Sequence, residues 1–253
     1  MLKIGLSGCN GTMGRVIMDL VMSYEGMDIV FGLDNVRDKY DNPFPVFNHP
    51  SKINVPCDVI IDFSKPEGTN DLVQYCIEKE VPIVIATTGL SPEQELNILE
   101  AATRIPIFKS SNTSIGVNVL LDLVKMATRV LSDEFDIEII EKHHNKKVDA
   151  PSGTAYMIAN AINDELNEVM TYNYGRNGKD AQREEKEIGI HAVRGGTIPG
   201  EHTVIFAGLD EIIEIKHTAL SKKIFAKQAI NVAQFIVNKE PKLYNMNDYI
   251  NQH

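Results

Sequence analysis

Over residues 1–112, short β-rich apolar runs alternate with stretches of helical spacing such as 67–80 and 92–103. The runs are KIGL at 3–6, DIVFGL at 28–33, DVIIDF at 58–63, PIVIAT at 82–87 and PIFKS at 106–110. Two strands that run the same way need a long crossover between them, and helical crossovers build a parallel sheet covered on both faces. The alternation therefore predicts an α/β fold. Between the second and third runs lies NVRDKYDNPFPVFNHPSKINVP (35–56), whose four prolines predict a long surface loop without regular structure.

After residue 115 the rhythm changes. Helical spacing over 116–131 is followed by the strand-like FDIEIIE (135–141) and by a helix opening near SGTAYMIANAI (152–162). The polar, glycine-containing TYNYGRNGKDAQREEKE (171–187) predicts a mobile loop. Three strand candidates then follow, EIGIHAVRG (187–195), HTVIFAG (202–208) and DEIIEIKH (210–217), joined by GTIPGE and GLD. Such short connections predict antiparallel pairing of the three in succession. An amphipathic stretch at 222–238 predicts a helix that returns to the first domain. The expected organisation is a parallel-sheet domain of residues 1–114 plus 222–253 and a mixed-sheet α+β domain of residues 115–221.

The segment KIGLSGCNGTMGRVIMDLV sets Gly8, Gly11 and Gly14 between a strand and an amphipathic helix. Glycine lets the chain turn sharply, lets the backbone approach a pyrophosphate, and lets helix pack closely on strand. The helix N-terminus then offers amide N–H groups to phosphates. Asp34 closes the next strand about 20 residues after Gly14, where a carboxylate can accept hydrogen bonds from ribose hydroxyls. Together these features predict a Rossmann-type dinucleotide-binding domain; a plain tight β–α turn is the blander reading. A carboxylate at Asp34 followed by Asn35 favours NAD, while Arg15 and Arg37 leave NADPH open.

A formal net charge of −10 with no basic block excludes a phosphate-backbone binder, so no nucleic-acid partner is expected. Cys9, Cys57 and Cys76 are odd in number and lack CxxC spacing, which suggests neither a disulfide framework nor a thiolate zinc site. No apolar run approaches the ~18 residues of a membrane span. A cytoplasmic protein with no membrane partner is the expectation.

Residues 141–154 read EKHHNKKVDAPSGT. His143 and His144 follow a strand-like run; within a regular strand they would face opposite sides. Lys147 comes four residues after His143, and Ser152 or Asp149 can cap the helix that begins near Gly153 and Thr154. A cation, two imidazoles and amides at a helix start describe a carboxylate-binding site with acid/base groups. A solvated basic turn competes with that reading. A metal site is the third, since His143, His144, His191, His202 and His217 all lie in the second domain, but no HxxxH or HExxH spacing occurs. No metal is expected.

At these residues the chain resembles the 4-hydroxy-tetrahydrodipicolinate reductase (dihydrodipicolinate reductase) family. The resemblance runs through GCNGTMG (8–14), ATTG (86–89), SSNTSIGVNVL (110–120), EKHHNKKVDAPSGTA (141–155) and RGGTIPGEHTVIF (194–206). It implies an NAD(P)H-dependent oxidoreductase of the diaminopimelate route to lysine that reduces 4-hydroxy-tetrahydrodipicolinate to tetrahydrodipicolinate. It implies NADH and/or NADPH as cofactor, a small cyclic dicarboxylate as substrate, and a homotetramer assembled through the second, substrate-binding domain.

Carried onto this chain, the resemblance makes His143 the acid/base residue, Lys147 a proton donor, and His144, Gly153 and Thr154 substrate contacts. Cofactor contacts fall on Gly8, Cys9, Asn10, Gly11, Thr12, Met13, Asp34, Ala86, Thr87, Thr88, Ser110, Ser111, Asn112 and Thr113. Residues 110–116 are the implied hinge. The chain departs from the family pattern at Thr12 and Asn35, where many members have Arg, at Lys222, and at SNTS. A sensor without catalysis would not need His143 and Lys147, and another two-domain dehydrogenase would oxidise a hydroxy or amino acid instead.

Overall fold

The computed structural model describes residues 1–252. In chain order the elements of the first stretch are β1 (Leu2–Ser7), α1 (Thr12–Val21), β2 (Met27–Leu33), β3 (Val46–Phe47), β4 (Val59–Asp62), α2 (Thr69–Lys79), β5 (Ile83–Ile85), α3 (Pro92–Ala101) and β6 (Pro106–Lys109). The second stretch holds α4 (Ile115–Leu131), β7 (Asp136–His143), α5 (Gly153–Glu165), β8 (Thr171–Asn173), β9 (Glu187–Arg194), β10 (Gly200–Ala207) and β11 (Ile212–Ala219). The chain ends in α6 (Lys223–Ile236), β12 (Lys242–Tyr244) and α7 (Met246–Ile250). Among the described residues, 1–114 and 222–252 form one compact unit and 115–221 the other.

The first unit is built on a seven-stranded sheet in the order β12-β6-β5-β4-β1-β2-β3, with every pairing parallel. Both faces are covered. On one side Ile4, Leu6 and Ile61 of the sheet pack with Ile17 and Val21 of α1 and Ala226, Ala229 and Ile230 of α6. On the other, Ile60, Ile83, Ile85 and Ile107 pack with Leu72 and Cys76 of α2 and Ile98 of α3. A strand buried on both faces has no polar face to show, which is why β5 and the first three residues of β4 read as apolar runs. Each fully buried Ile contributes about 1.5–3 kcal/mol of transfer free energy. The helix starts are specified locally as well: Ser91 and Gln94 form a capping box, and Pro92 occupies the first turn of α3.

The proline-rich loop 35–56 departs from its expectation. It contains β3, which pairs in parallel with β2 at the sheet's outer edge through Gly32↔Val46 and Leu33↔Phe47. Pro43 and Pro45 both precede this strand, and an edge position tolerates them because one side of an edge strand needs no ladder donor. Pro45 still contributes as an acceptor, its carbonyl taking the Gly32 N–H at 2.9 Å.

The second unit has a five-stranded sheet in the order β11-β10-β7-β9-β8. Its core, Ile137, Ile139, Ile188, Ile190, Val204 and Phe206, packs against Leu120 and Val124 of α4 and Ile158 and Ile162 of α5. β10 and β11 pair antiparallel, as their short connection predicts. The expected β9–β10 pairing does not occur. β7 lies between these two strands, parallel to β9 and antiparallel to β10, so loop 195–199 straddles its end. The straddling loop is fastened there: Gly195 N donates to His143 O at 2.9 Å and Asn145 N to Gly196 O at 3.2 Å. Sequence distance alone cannot reveal a strand inserted between two neighbours, because five residues are enough to step over one 4.8 Å interval twice.

Segment 171–187 likewise differs from a mobile loop. It supplies β8, and Arg176 pairs with Glu138 at 2.7 Å and with Glu187, while Arg183 pairs with Asp136 at 2.8 Å. The charges that suggest a solvated loop are instead neutralised against acidic residues of β7 and β9. His191 Nε2 joins the same Glu138 at 2.7 Å.

Candidate functional site

The parallel sheet places the C-terminal ends of β1, β2, β4, β5 and β6 on one edge, and in open α/β sheets that edge carries the ligand site. Here it opens a cleft of about 660 Å³ whose lining includes Gly8, Asn10, Gly11, Asp34, Lys39 and Ser64. Gly8 has φ +78, and a Cβ on it would lie 2.5 Å from Phe63 O. Gly14 lets α1 approach the turn so closely that a Cβ there would meet Gly8 O at 2.2 Å. Gly11 caps α1 without any side-chain hydrogen bond, so its first-turn amides receive no side-chain cap. These features suit a pyrophosphate laid against the helix start.

Asp34 sits just past β2 with both carboxylate oxygens set by backbone amides, Asn10 N at 3.0 Å and Val36 N at 3.1 Å. Lys39 Nζ donates to Asn10 O at 3.1 Å, which brings a cation to the same wall of the cleft. Lys39 is a residue that sequence reasoning missed, because it lies inside the proline-rich loop. Nothing in its spacing from Asp34 marks it.

The other expected cofactor contacts are distributed around that edge rather than along the cleft. Cys9 is buried, a Cβ on Gly32 would stand 2.5 Å from its Sγ, and burial pushes its thiol up to about 12. Thr12 and Met13 open α1, and Met13 packs against the core. Thr87 is buried after β5, its hydroxyl donating to the buried Asp62 at 2.7 Å, with Ala86 before it and Thr88 exposed after it. After β6, Ser110 Oγ donates to Asn112 O at 2.7 Å and Thr113 Oγ1 to Phe225 O at 3.1 Å. Ser111 stands between them.

In the second unit the end of β7 gathers a polar cluster. Glu141 and His143 are two residues apart on a strand and so share a face. Glu141 is completely buried and His143 Nδ1 lies 2.6 Å from its Oε2. Arg194, opposite His143 on β9, donates Nη1 to Oε2 and Nη2 to Oε1, both at 2.7 Å. The Ser152 amide donates to Oε1 at 2.9 Å. Burial alone would raise the Glu141 carboxyl, but the bonds from His143 and Arg194 outweigh it and hold the group down at about 2.

Ser152, rather than Asp149, caps α5: its Oγ accepts from Ala155 N at 3.1 Å and lies 2.9 Å from His202 Nε2. His202 is buried, and its ring meets that of His143 edge to face with centroids 5.3 Å apart. Burial, followed by the charge on His143, pushes His202 down to about 4. Lys147 also depresses His202 and is therefore within electrostatic reach of the same imidazole. Lys147 Nζ bonds Asp149 Oδ1 at 2.8 Å, and its backbone N–H closes a turn onto His144 O at 3.1 Å.

His144 follows the last residue of β7, and Gly153 and Thr154 open α5. A Cβ on Gly153 would meet nothing within 4 Å, so this helix start is open to an incoming group. The cluster can orient an imidazole, keep a cation beside it, and offer a helix N-terminus to an anion. Glu141 was recoverable from its i−2 relation to His143; Arg194 and His202 were not, because they arrive through the unexpected strand order. Among the described residues no group of three or more His, Cys, Asp or Glu is placed to hold a metal ion.

Family comparison matches residues 2–113 to the model described as dihydrodipicolinate reductase, N-terminus, and residues 116–250 to dihydrodipicolinate reductase, C-terminus. A 4-hydroxy-tetrahydrodipicolinate reductase of Clostridium tetani is 48% identical over 252 residues, covering 99% of this chain and 98% of that protein. The enzyme of the same name from Caldanaerobacter subterraneus subsp. tengcongensis is 48% identical over 250 residues, with 99% and 98% covered. Among solved structures, a dipicolinate-bound dihydrodipicolinate reductase from Paenisporosarcina sp. TG-14 has the same fold, with a TM-score of 0.77 at 24% identity and 99% of each chain covered.

Proposed function

The chain belongs to the dihydrodipicolinate reductase family, and from that premise we propose that it reduces 4-hydroxy-tetrahydrodipicolinate to tetrahydrodipicolinate in diaminopimelate and lysine biosynthesis, with NADH or NADPH as reductant. The observation that carries the proposal is the 2.6 Å bond of His143 to the buried Glu141 beside the Ser152-capped start of α5. It sets an acid/base group next to a helix N-terminus suited to a carboxylate.

The substrate is a cyclic imine with two carboxylates. Lys147 and the turn at Gly153 and Thr154 bind one of them, and His144 lies on the same turn-rich segment. Loss of the 4-hydroxyl as water leaves a conjugated ring. The nicotinamide, when bound, supplies a hydride to that ring, and the electron-rich product takes up one proton. His143 holds that proton at Nε2, with Lys147 as the neighbouring donor. The first unit grips the dinucleotide: the α1 amides and Gly8, Gly11 and Gly14 take the pyrophosphate, and Asp34 takes the adenosine ribose. Cys9, Asn10, Thr12, Met13, Ala86–Thr88 and Ser110–Thr113 complete the contacts along the same sheet edge.

We infer a homotetramer joined through the second unit. Its sheet face opposite α4 and α5 carries Ile140, Val193, Ile205 and Ile212, none of them buried, which favours burial against another copy. No described helix is long and apolar enough to cross a membrane, and the small-molecule substrate fits a cytoplasmic location.

The test is titration with dipicolinate alongside steady-state assays. Lys147→Ala should weaken dipicolinate binding about tenfold or more, as loss of a charge-assisted contact requires, and lower turnover while leaving NADH affinity unchanged. Unaltered dipicolinate binding would remove Lys147 from the substrate site.

A further inference from the structure

We propose that Glu141 is a positioning residue that fixes His143 in the Nδ1–H tautomer and ties the orientation of that imidazole to the first residue before α5. The proposal rests on the reading of His143 as the acid/base residue. Four N–H groups surround the carboxylate: His143 Nδ1 and Arg194 Nη1 on Oε2, Arg194 Nη2 and Ser152 N on Oε1. An ionised carboxylate only accepts, so the single proton between Oε2 and Nδ1 belongs to the imidazole. Nε2 is then the nitrogen with a lone pair in the neutral ring, and it is the atom left to exchange a proton with substrate.

The surroundings support that assignment. A Cβ on Gly200 would come within 3.2 Å of His143 Nε2, so glycine at this position avoids crowding that atom. The charged and titratable groups facing the imidazole are Glu141 on its own strand, Arg194 opposite it on β9 and His202 on β10; Lys147, paired with Asp149 on the following turn, is in electrostatic reach of His202. Of these only Glu141 bonds a ring nitrogen of His143. Its second oxygen holds Ser152 N, and Ser152 Oγ caps α5, so one buried carboxylate indexes both the imidazole and the anion-facing helix start.

Glu141→Gln tests this because an amide cannot present two acceptor edges. With its oxygen kept on Ser152 N and Arg194 Nη2, the Gln NH₂ faces His143 Nδ1 and drives the ring proton to Nε2. Long-range ¹H–¹⁵N spectra of the free protein at alkaline pH, assigned with His143→Gln, read the tautomer directly. The expected result is Nδ1–H in the wild-type chain and predominantly Nε2–H in Glu141→Gln. Turnover should fall about 10²–10⁴-fold, as for a general acid/base in the wrong tautomer, with NADH affinity unchanged.

A wild-type ring that is mainly Nε2–H, or a folded Glu141→Gln chain that keeps Nδ1–H, overturns the proposal. Glu141→Asp serves if the Gln variant does not fold. It retains the charge for Arg194 and withdraws the oxygen from Nδ1, so it should give mixed tautomers, and an unmixed Nδ1–H ring there overturns the proposal too. Because the tautomer is read without substrate, failure here is separable from failure of the catalytic reading, which the turnover of His143→Gln decides.

Discussion

His202 and His143 meet edge to face with ring centroids 5.3 Å apart, and the inner ring of the pair stays neutral while the outer one contacts a carboxylate. This relationship contributes to how the second unit responds to acid. His202 is held at about 4, below the ordinary histidine value of 6.5, so the unfolded chain protonates there first. Its contribution to stability is complete above pH 6.5 and is lost as the pH falls toward 4. Glu141, held at about 2 against an ordinary 4.5, has the same sign: its contribution is complete above 4.5 and is lost toward 2. Urea midpoints measured from pH 8 to pH 3 should therefore decline in two consecutive windows. His202→Asn should flatten the upper window and leave the lower one, and parallel wild-type and variant curves between pH 6.5 and 4 would contradict this account.

Replacing His143 by Gln removes the group proposed to handle the reacting proton while preserving roughly its volume. Turnover should fall by about 10²–10⁴-fold, the range for loss of general acid/base catalysis. The cleft proposed for the cofactor lies within the first unit, so the fluorescence-measured Kd for NADH should not change. A variant that turns over at the wild-type rate would take His143 out of the mechanism.

Much of the fold was legible because its causes are local. β5 and the first three residues of β4, buried on both faces, show as apolar runs, and the turn at Gly8 to Gly14 shows because each close approach demands glycine. Glu141 was half legible, since a strand puts residues i and i+2 on one face, but its burial and its four donors depend on partners distant in sequence. Arg194 reaches it only because β9 lies against β7, and the sequence of short connections argued for β9 against β10. The ion pairs of Arg176 and Arg183 were hidden for a related reason: a charged segment reads as solvated until the opposing Glu138, Glu187 and Asp136 are seen across from it.

Two glycines separate packing from binding. Gly14→Ala places a methyl group 2.2 Å from the carbonyl oxygen of Gly8, a backbone atom that cannot swing aside. α1 must shift away from the turn, and the expected loss is about 1–3 kcal/mol of stability from overpacking, accompanied by weaker binding of both NADH and NADPH. Gly153→Ala meets open space. Thermal unfolding should show it unchanged or slightly stabilised, by up to about 1 kcal/mol from helix propensity, so a raised Kd for dipicolinate in that variant would report contact at the helix start. Destabilisation of Gly153→Ala comparable to that of Gly14→Ala would refute the distinction.

Asp34 and Lys39 carry opposite charges on one wall of the cleft, and on the proposed reading they act in opposite senses on cofactor choice. The Asp34 oxygens are oriented by Asn10 N and Val36 N, and each retains lone pairs for ribose hydroxyls. A 2′-phosphate in the same place would be repelled by the carboxylate and attracted by Lys39, whose Nζ stands 3.1 Å from Asn10 O. Asp34→Ala should therefore weaken NADH by about 10- to 100-fold, the equivalent of one or two charge-assisted bonds, and weaken NADPH much less, because the lost bonds are offset by lost repulsion. Lys39→Ala should do the reverse, with little effect on NADH and a clear loss for NADPH that shrinks as salt screens the charge. Fluorescence titrations with both coenzymes at low and high ionic strength, run beside steady-state kinetics, measure all four changes. Equal losses for the two coenzymes in either variant would mean that these side chains shape the cleft without reading the 2′ position.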